Sequence, residues 1–160
     1  MKKFLFAAAI ACLALFTSCD KLSVQHTGDS TGNLYGIWAL DSKTIVTKDS
    51  EGKENTQTED YSDFHFYLAL SNAGVPHAIA KKGSLTALDL NDVDVDACRI
   101  SYNEDSKQIS FQKTVWLSEG LTHHMRLLGT YDVLTLSATK LVIQQELAGV
   151  KTIYSYTKQE

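Results

Sequence analysis

The chain has 160 residues, with 15 Lys and Arg against 19 Asp and Glu for a formal charge of -4, and 44% of its residues are hydrophobic. That composition belongs to a folded globular chain and excludes a disordered, collagenous or multi-span membrane protein. No excess of positive charge exists to displace counterions from a phosphate backbone, so no nucleic-acid partner is expected.

Residues 1–18 read as a signal peptide. Lys2 and Lys3 form a positive start, and the apolar stretch from Phe4 to Phe16 carries no charge. It has the length of a signal segment and is too short to cross a bilayer core of roughly 30 Å comfortably as a helix. The stretch ends in Phe16-Thr17-Ser18-Cys19, with small residues ahead of a cysteine and a polar Asp20-Lys21 behind it. This ending resembles the lipobox of bacterial lipoproteins, which implies cleavage before Cys19 and a diacylglycerol thioether on its sulfur. The expected localisation is a lipid anchor on a bacterial membrane, by preference the outer one, with the domain periplasmic or surface-exposed. Cys12 leaves with the signal, so Cys98 remains alone and no internal disulfide is expected. Its alternation with Ile100 and Tyr102 gives it the place of a small buried hydrophobe.

Residues 19–33 are polar and read as a lipidated tether; residues 34–158 read as one domain. Strand signals run through it in chain order. Leu34 to Val46 carries Trp38, Leu40, Ile45 and Val46. A charged, Gly-bearing loop is expected from Lys48 to Asp60. Phe64, Phe66, Leu68 and Leu70 then alternate with His65, Tyr67 and Ala69, without indicating which set faces inward. Val75 to Ala80 runs back after Asn72-Ala73-Gly74, and Ser84 to Leu90 has room for a helical turn or two. Ile100 and Tyr102 pair with Ile109 and Phe111 across a polar loop. Met125 to Leu136 is a long extended run, and Thr139–Leu147 with Val150–Thr157 forms a closing hairpin around Ala148-Gly149. Seven or eight short strands and no long helical stripe predict an all-β fold: a single antiparallel up-and-down barrel of about eight strands, or else a β-sandwich.

Motif searches for chemistry find little. Asp92-Val93-Asp94-Val95-Asp96 fails as an EF-hand because Ala97 and Asn103 stand where Gly and Glu are needed. As a strand it would be a solvated acidic face or a weak cation site. His123 and His124 are neighbours that a strand points to opposite faces, so no metal site is expected from them. No Gly-x-Ser-x-Gly, His-Glu-x-x-His, phosphate loop or dinucleotide fingerprint occurs. A noncatalytic protein without a cofactor is therefore expected.

Gly36-Ile37-Trp38 at the entrance to the first strand, and the ending from Tyr131 through Lys140-Leu141-Val142-Ile143 to Tyr154-Ser155-Tyr156-Thr157-Lys158, look like the small lipocalin-like lipoproteins of Gram-negative bacteria. The resemblance spans residues 34–158 in outline. It implies a barrel that either is filled by side chains or holds one small ligand. In lipocalins an arginine near the last strands often covers the tryptophan; the two arginines here, Arg99 and Arg126, lie outside the final strand, so either Lys158 substitutes or the feature is absent. Trp38 is then a structural plug or a ligand contact. Trp38, Tyr67, Trp116, Tyr131, Tyr154 and Tyr156 are the candidate contacts for a small apolar ligand, although tyrosines also suit any half-buried pleated surface. The other partner expected is the membrane itself, through Cys19, or in an alternative reading a larger envelope complex docked by a solid barrel. Cys19→Ser is expected to move the protein from the membrane to the soluble fraction of the envelope; persistence in the membrane would overturn the lipid anchor.

Overall fold

Residues alternating between buried and exposed build almost every element of the computed structural model, which describes residues 32–85 and 95–159. Its strands are β1 (Gly36–Lys48), β2 (Glu54–Asp60), β3 (Phe66–Ser71), β4 (His77–Lys82), β5 (Val95–Asn103), β6 (Gln108–Glu119), β7 (His123–Leu136), β8 (Lys140–Leu147) and β9 (Val150–Gln159), with one 3₁₀ turn at Ser62–Phe64. In β3 the buried set is Phe66, Leu68 and Leu70. Phe64, one period earlier, belongs to the 3₁₀ turn. Cys19, the tether before Gly32, residues 86–90 and the aspartates at 92 and 94 lie outside the described residues. Cys98 is buried in β5, and that burial raises its thiol pKa.

Eight of the strands follow one another in the order β1-β3-β4-β5-β6-β7-β8-β9, each antiparallel to the next, and β1 pairs with β9 to close the ring. This is the all-β up-and-down barrel expected from the sequence, and it is compatible with a lipocalin-like fold. The expected loop from Lys48 to Asp60 is corrected: it is a hairpin whose second arm is the ninth strand, β2. Glu54-Asn55-Thr56-Gln57-Thr58-Glu59-Asp60 has no apolar face, so no hydrophobic alternation marks it. Pairing with β1 makes it a strand, after a turn in which the Asp49 carboxylate accepts the amides of Glu51 and Lys53.

The length of β1 makes this possible. Its thirteen residues pair along one edge with β9 from Ile37 to Val46. Along the other edge, Gly36–Ala39 pairs with β3 and Ser42–Lys48 with β2. A register irregularity between Leu40 and Ser42 separates the two halves.

Among the described residues, large apolar side chains pack the barrel interior. Trp38, Leu40, Phe66, Leu68, Phe111, Met125, Leu127 and Tyr156 are all inaccessible or nearly so. Trp38, at 0% exposure, plugs the end at which the described chain enters. Its indole N–H donates to the Leu34 carbonyl at 2.8 Å, and the Lys158 ammonium lies 5.0 Å above its ring. Such a cation–π contact contributes about 0.5–2 kcal/mol. Gly36 has φ +144°, and a Cβ there would lie 2.7 Å from Lys158 Cε, so another residue would push the lysine off the ring. Lys158 therefore covers the tryptophan, and the close approach of its side chain to Gly36 gives the glycine a steric cause. Trp38→Ala is expected to cost about 3–5 kcal/mol, read as a lower urea midpoint at unchanged slope; a loss within experimental error would overturn the plug.

Candidate functional site

Strand β7 is paired on both edges only over part of its length. Asp132 to Leu136 pair with Gln144 to Leu141 of β8, with a register irregularity between Val133 and Thr135. Beyond Gln144, β8 continues with β9 as far as Leu147 opposite Val150, while β7 continues with β6 alone. Between His123 and Thr130 the second edge of β7 thus faces no strand among the described residues. Unpaired peptide groups buried this way cost about 1–3 kcal/mol each.

Side chains take the place of the missing strand. The His124 amide donates to Tyr61 Oη at 2.9 Å, and that hydroxyl has its single proton for the His124 carbonyl at 3.1 Å or Glu59 Oε2 at 3.0 Å. The Arg126 amide donates to Tyr154 Oη at 3.3 Å, and Tyr154 Oη donates back to the Arg126 carbonyl at 3.1 Å. Tyr131 Oη donates to the same carbonyl at 3.3 Å. Gln145 Nε2 donates to the carbonyls of Leu128 and Thr130 at 2.8 and 3.1 Å. Gly129, at φ +77°, lets Gln145 cross the strand: a Cβ there would stand 3.3 Å from Gln145 Nε2. Every second residue from His124 to Thr130 thus has a backbone group met by a side chain. Burial pushes the phenol of Tyr61 up to about 12, and raises those of Tyr131 and Tyr154 as well. The hydroxyls therefore remain protonated and able to donate.

A cleft of about 310 Å³ runs along this seam. Lys43 and Ile45 of β1 face it, as do His124, Arg126 and Leu128 of β7, and Tyr131, Gln145, Leu147, Thr152 and Tyr154 complete the lining. The irregularity after Leu40 explains why a lysine points inward. Uninterrupted alternation from Trp38 and Leu40 would carry Ser42 and Thr44 into the interior; the shift brings in Lys43 and Ile45 instead. Lys43 is 5% exposed, and its ammonium lies 3.6 Å from Glu59 Oε2 on β2. Burial, and then the charge of Lys43, hold the His124 imidazole below its usual pKa. Its ring stacks on Trp116 at 5.1 Å and 12°. His123 points the other way, its ring 4.4 Å from that of Phe64. No group of three or more metal-ligating side chains gathers among the described residues.

Of the six aromatic candidates, the cleft takes Tyr131 and Tyr154. Trp38 and Tyr156 are sealed in the core, the Tyr156 hydroxyl 3.4 Å from Met125 Sδ. Tyr67 lies on the face of β3 opposite Phe66. Trp116 is 45% exposed beside the cleft wall, stacked on His124. Sequence reasoning missed Lys43, Tyr61, Arg126 and Gln145. The one signal for Lys43 was a lone cation set between Leu40 and Ile45, inside an otherwise strand-like run.

Fold and site together define an all-β barrel with a lateral cleft in its wall. Compared with known proteins, the chain matches no family model, no curated protein and no solved structure.

The buried phenol of Tyr61 makes stability depend on alkaline pH. Below about pH 10 it is protonated in both folded and unfolded chains, and its contribution is fully present. Above that the unfolded chain loses the proton first, so stability falls as pH rises toward about 12. Urea midpoints measured at pH 9, 10 and 11 are expected to fall less steeply for Tyr61→Phe than for the parent. A residual slope should remain from Tyr131 and Tyr154, and parallel curves would overturn the assignment.

Proposed function

We propose that this protein is a lipocalin-like lipoprotein of the bacterial cell envelope, anchored through Cys19, and that it binds a small, partly apolar molecule without catalysis. The observation that carries the reading is the seam cleft. At about 310 Å³ it stands at the small end of ligand pockets, and it sets apolar Ile45, Leu128 and Leu147 beside a few polar groups. Among the described residues the packed core leaves the side cleft, rather than the barrel mouth expected from the resemblance, as the site that supports this reading. Burial of apolar ligand surface supplies the affinity, at roughly 25 cal/mol per Å². The polar lining of the cleft fixes orientation.

A second reading is an accessory subunit docked on a larger envelope partner. It draws on the exposed apolar side chains of Trp116 and Leu121.

The mature chain is expected to show an added mass in native spectra that disappears on denaturation. The uncharged dye N-phenyl-1-naphthylamine is expected to brighten on binding it. Leu128 is 41% exposed, so Leu128→Glu is expected to fold, and this variant should weaken dye binding about tenfold by placing a charge against the apolar part of the lining. Leu121→Glu, in the β6–β7 turn, should change nothing. Neither an added mass nor dye uptake would give way to the docking reading.

A further inference from the structure

We infer that the molecule taken by the cleft is a monoanion with a short apolar tail, its acidic head group received between Lys43 and Arg126; this rests on the binding reading above. The charges of the wall lead to it. Lys43 is a buried ammonium facing the cleft, and burying a cation is costly unless it is paired at close range. Its one carboxylate neighbour among the described residues, Glu59, stands 3.6 Å away. Charge-assisted hydrogen bonds are shorter, at about 2.7–2.9 Å. The same Glu59 oxygen is also within 3.0 Å of Tyr61 Oη. The ammonium therefore keeps donors for a further acceptor, and the cleft is the open space beside it.

Arg126 brings a second cation to the same wall. Counted together, Lys43 and Arg126 exceed Glu59 by one positive charge, which a single negative head group neutralises. A neutral ligand would leave Lys43 with Glu59 at 3.6 Å as its counter-charge and offer it no shorter bond, and a cationic one would add repulsion. His124, held below its usual pKa by burial, adds no further positive charge to this count near neutral pH. The tail has a place as well: Ile45, Leu128 and Leu147 lie on the same cleft, and Leu147 is 63% exposed, so a bound chain would cover apolar surface now in water.

Carboxylates and sulfate or phosphate esters share this chemistry, so the probes separate them. Calorimetric titrations of the mature chain would use decanoate, decyl sulfate, decanol and decyltrimethylammonium, each below its micelle concentration. Decanoate or decyl sulfate, or both, should bind about tenfold or more tighter than decanol, with the cation weakest; the better of the two anions names the head group. Lys43→Met should bring the anions down to the level of decanol. Arg126→Gln, at an exposed position that does not endanger folding, should weaken the anions several-fold and leave decanol unchanged. Glu59→Gln, which frees the ammonium, should tighten them. If all four probes bind alike and the variants do not discriminate among them, the cleft binds apolar molecules and the charge inference is overturned. If none binds, the binding reading falls and takes this inference with it.

Discussion

From His123 to Thr130 one edge of β7 lacks a partner strand among the described residues, and the rest of the site follows from that. An antiparallel barrel ordinarily removes its edges by closing. Here the ring closes through β1 and β9, yet β8 leaves β7 beyond Gln144 and opens a seam in the wall. Peptide groups cannot be left there without partners. Two phenols and an amide reach across from β9, β8 and the segment after β2 to meet them, and Tyr131 adds a third hydroxyl from β7 itself. The polar wall of the cleft is thus a by-product of satisfying the backbone, and its side chains are held in place by bonds that the fold itself requires.

The ninth strand gains its meaning from the same seam. β2 contributes nothing to the core, but it carries Glu59 to Lys43 and is followed at once by Tyr61, whose ring is buried and whose hydroxyl meets both backbone groups of His124. A lysine turned inward by one irregularity in β1 is tolerable because a carboxylate arrives on the adjacent strand at the matching register, Lys43 opposite Glu59. Removing Glu59 alone leaves the buried ammonium of Lys43 without that counter-charge.

Much of the barrel was legible in the sequence because burial imposes a period of two. Phe66-Leu68-Leu70, the hairpin around Ala148-Gly149 and the long run of β7 all announce themselves this way. The Trp38 plug was legible too, since Gly36 and Lys158 fit it sterically. What was not legible lacks hydrophobic contrast. β2 is a strand by pairing alone, and Tyr61 sits between Asp60 and Ser62 in what reads as a polar turn. Lys43 faces inward through a one-residue shift that alternation cannot foresee. Tyr131 and Tyr154 were visible as aromatics, but their part in capping a strand edge depends on β8 diverging from β7, and no local pattern encodes that divergence.

The contact of Lys158 with Trp38 and Gly36 also has a consequence for how the chain reaches its native state. The hairpins β3–β4, β6–β7 and β8–β9 join near neighbours and need little chain closure. The β1–β9 ladder joins Ile37 to Gln159, nearly the two ends of the domain, and such distant pairings are entropically expensive and slow. Topology therefore makes closure the expected late step of folding. Until the last strand docks, β1 presents an open edge and an uncovered indole, so the C-terminal residues act as the clasp that ends the chain's exposure to its neighbours.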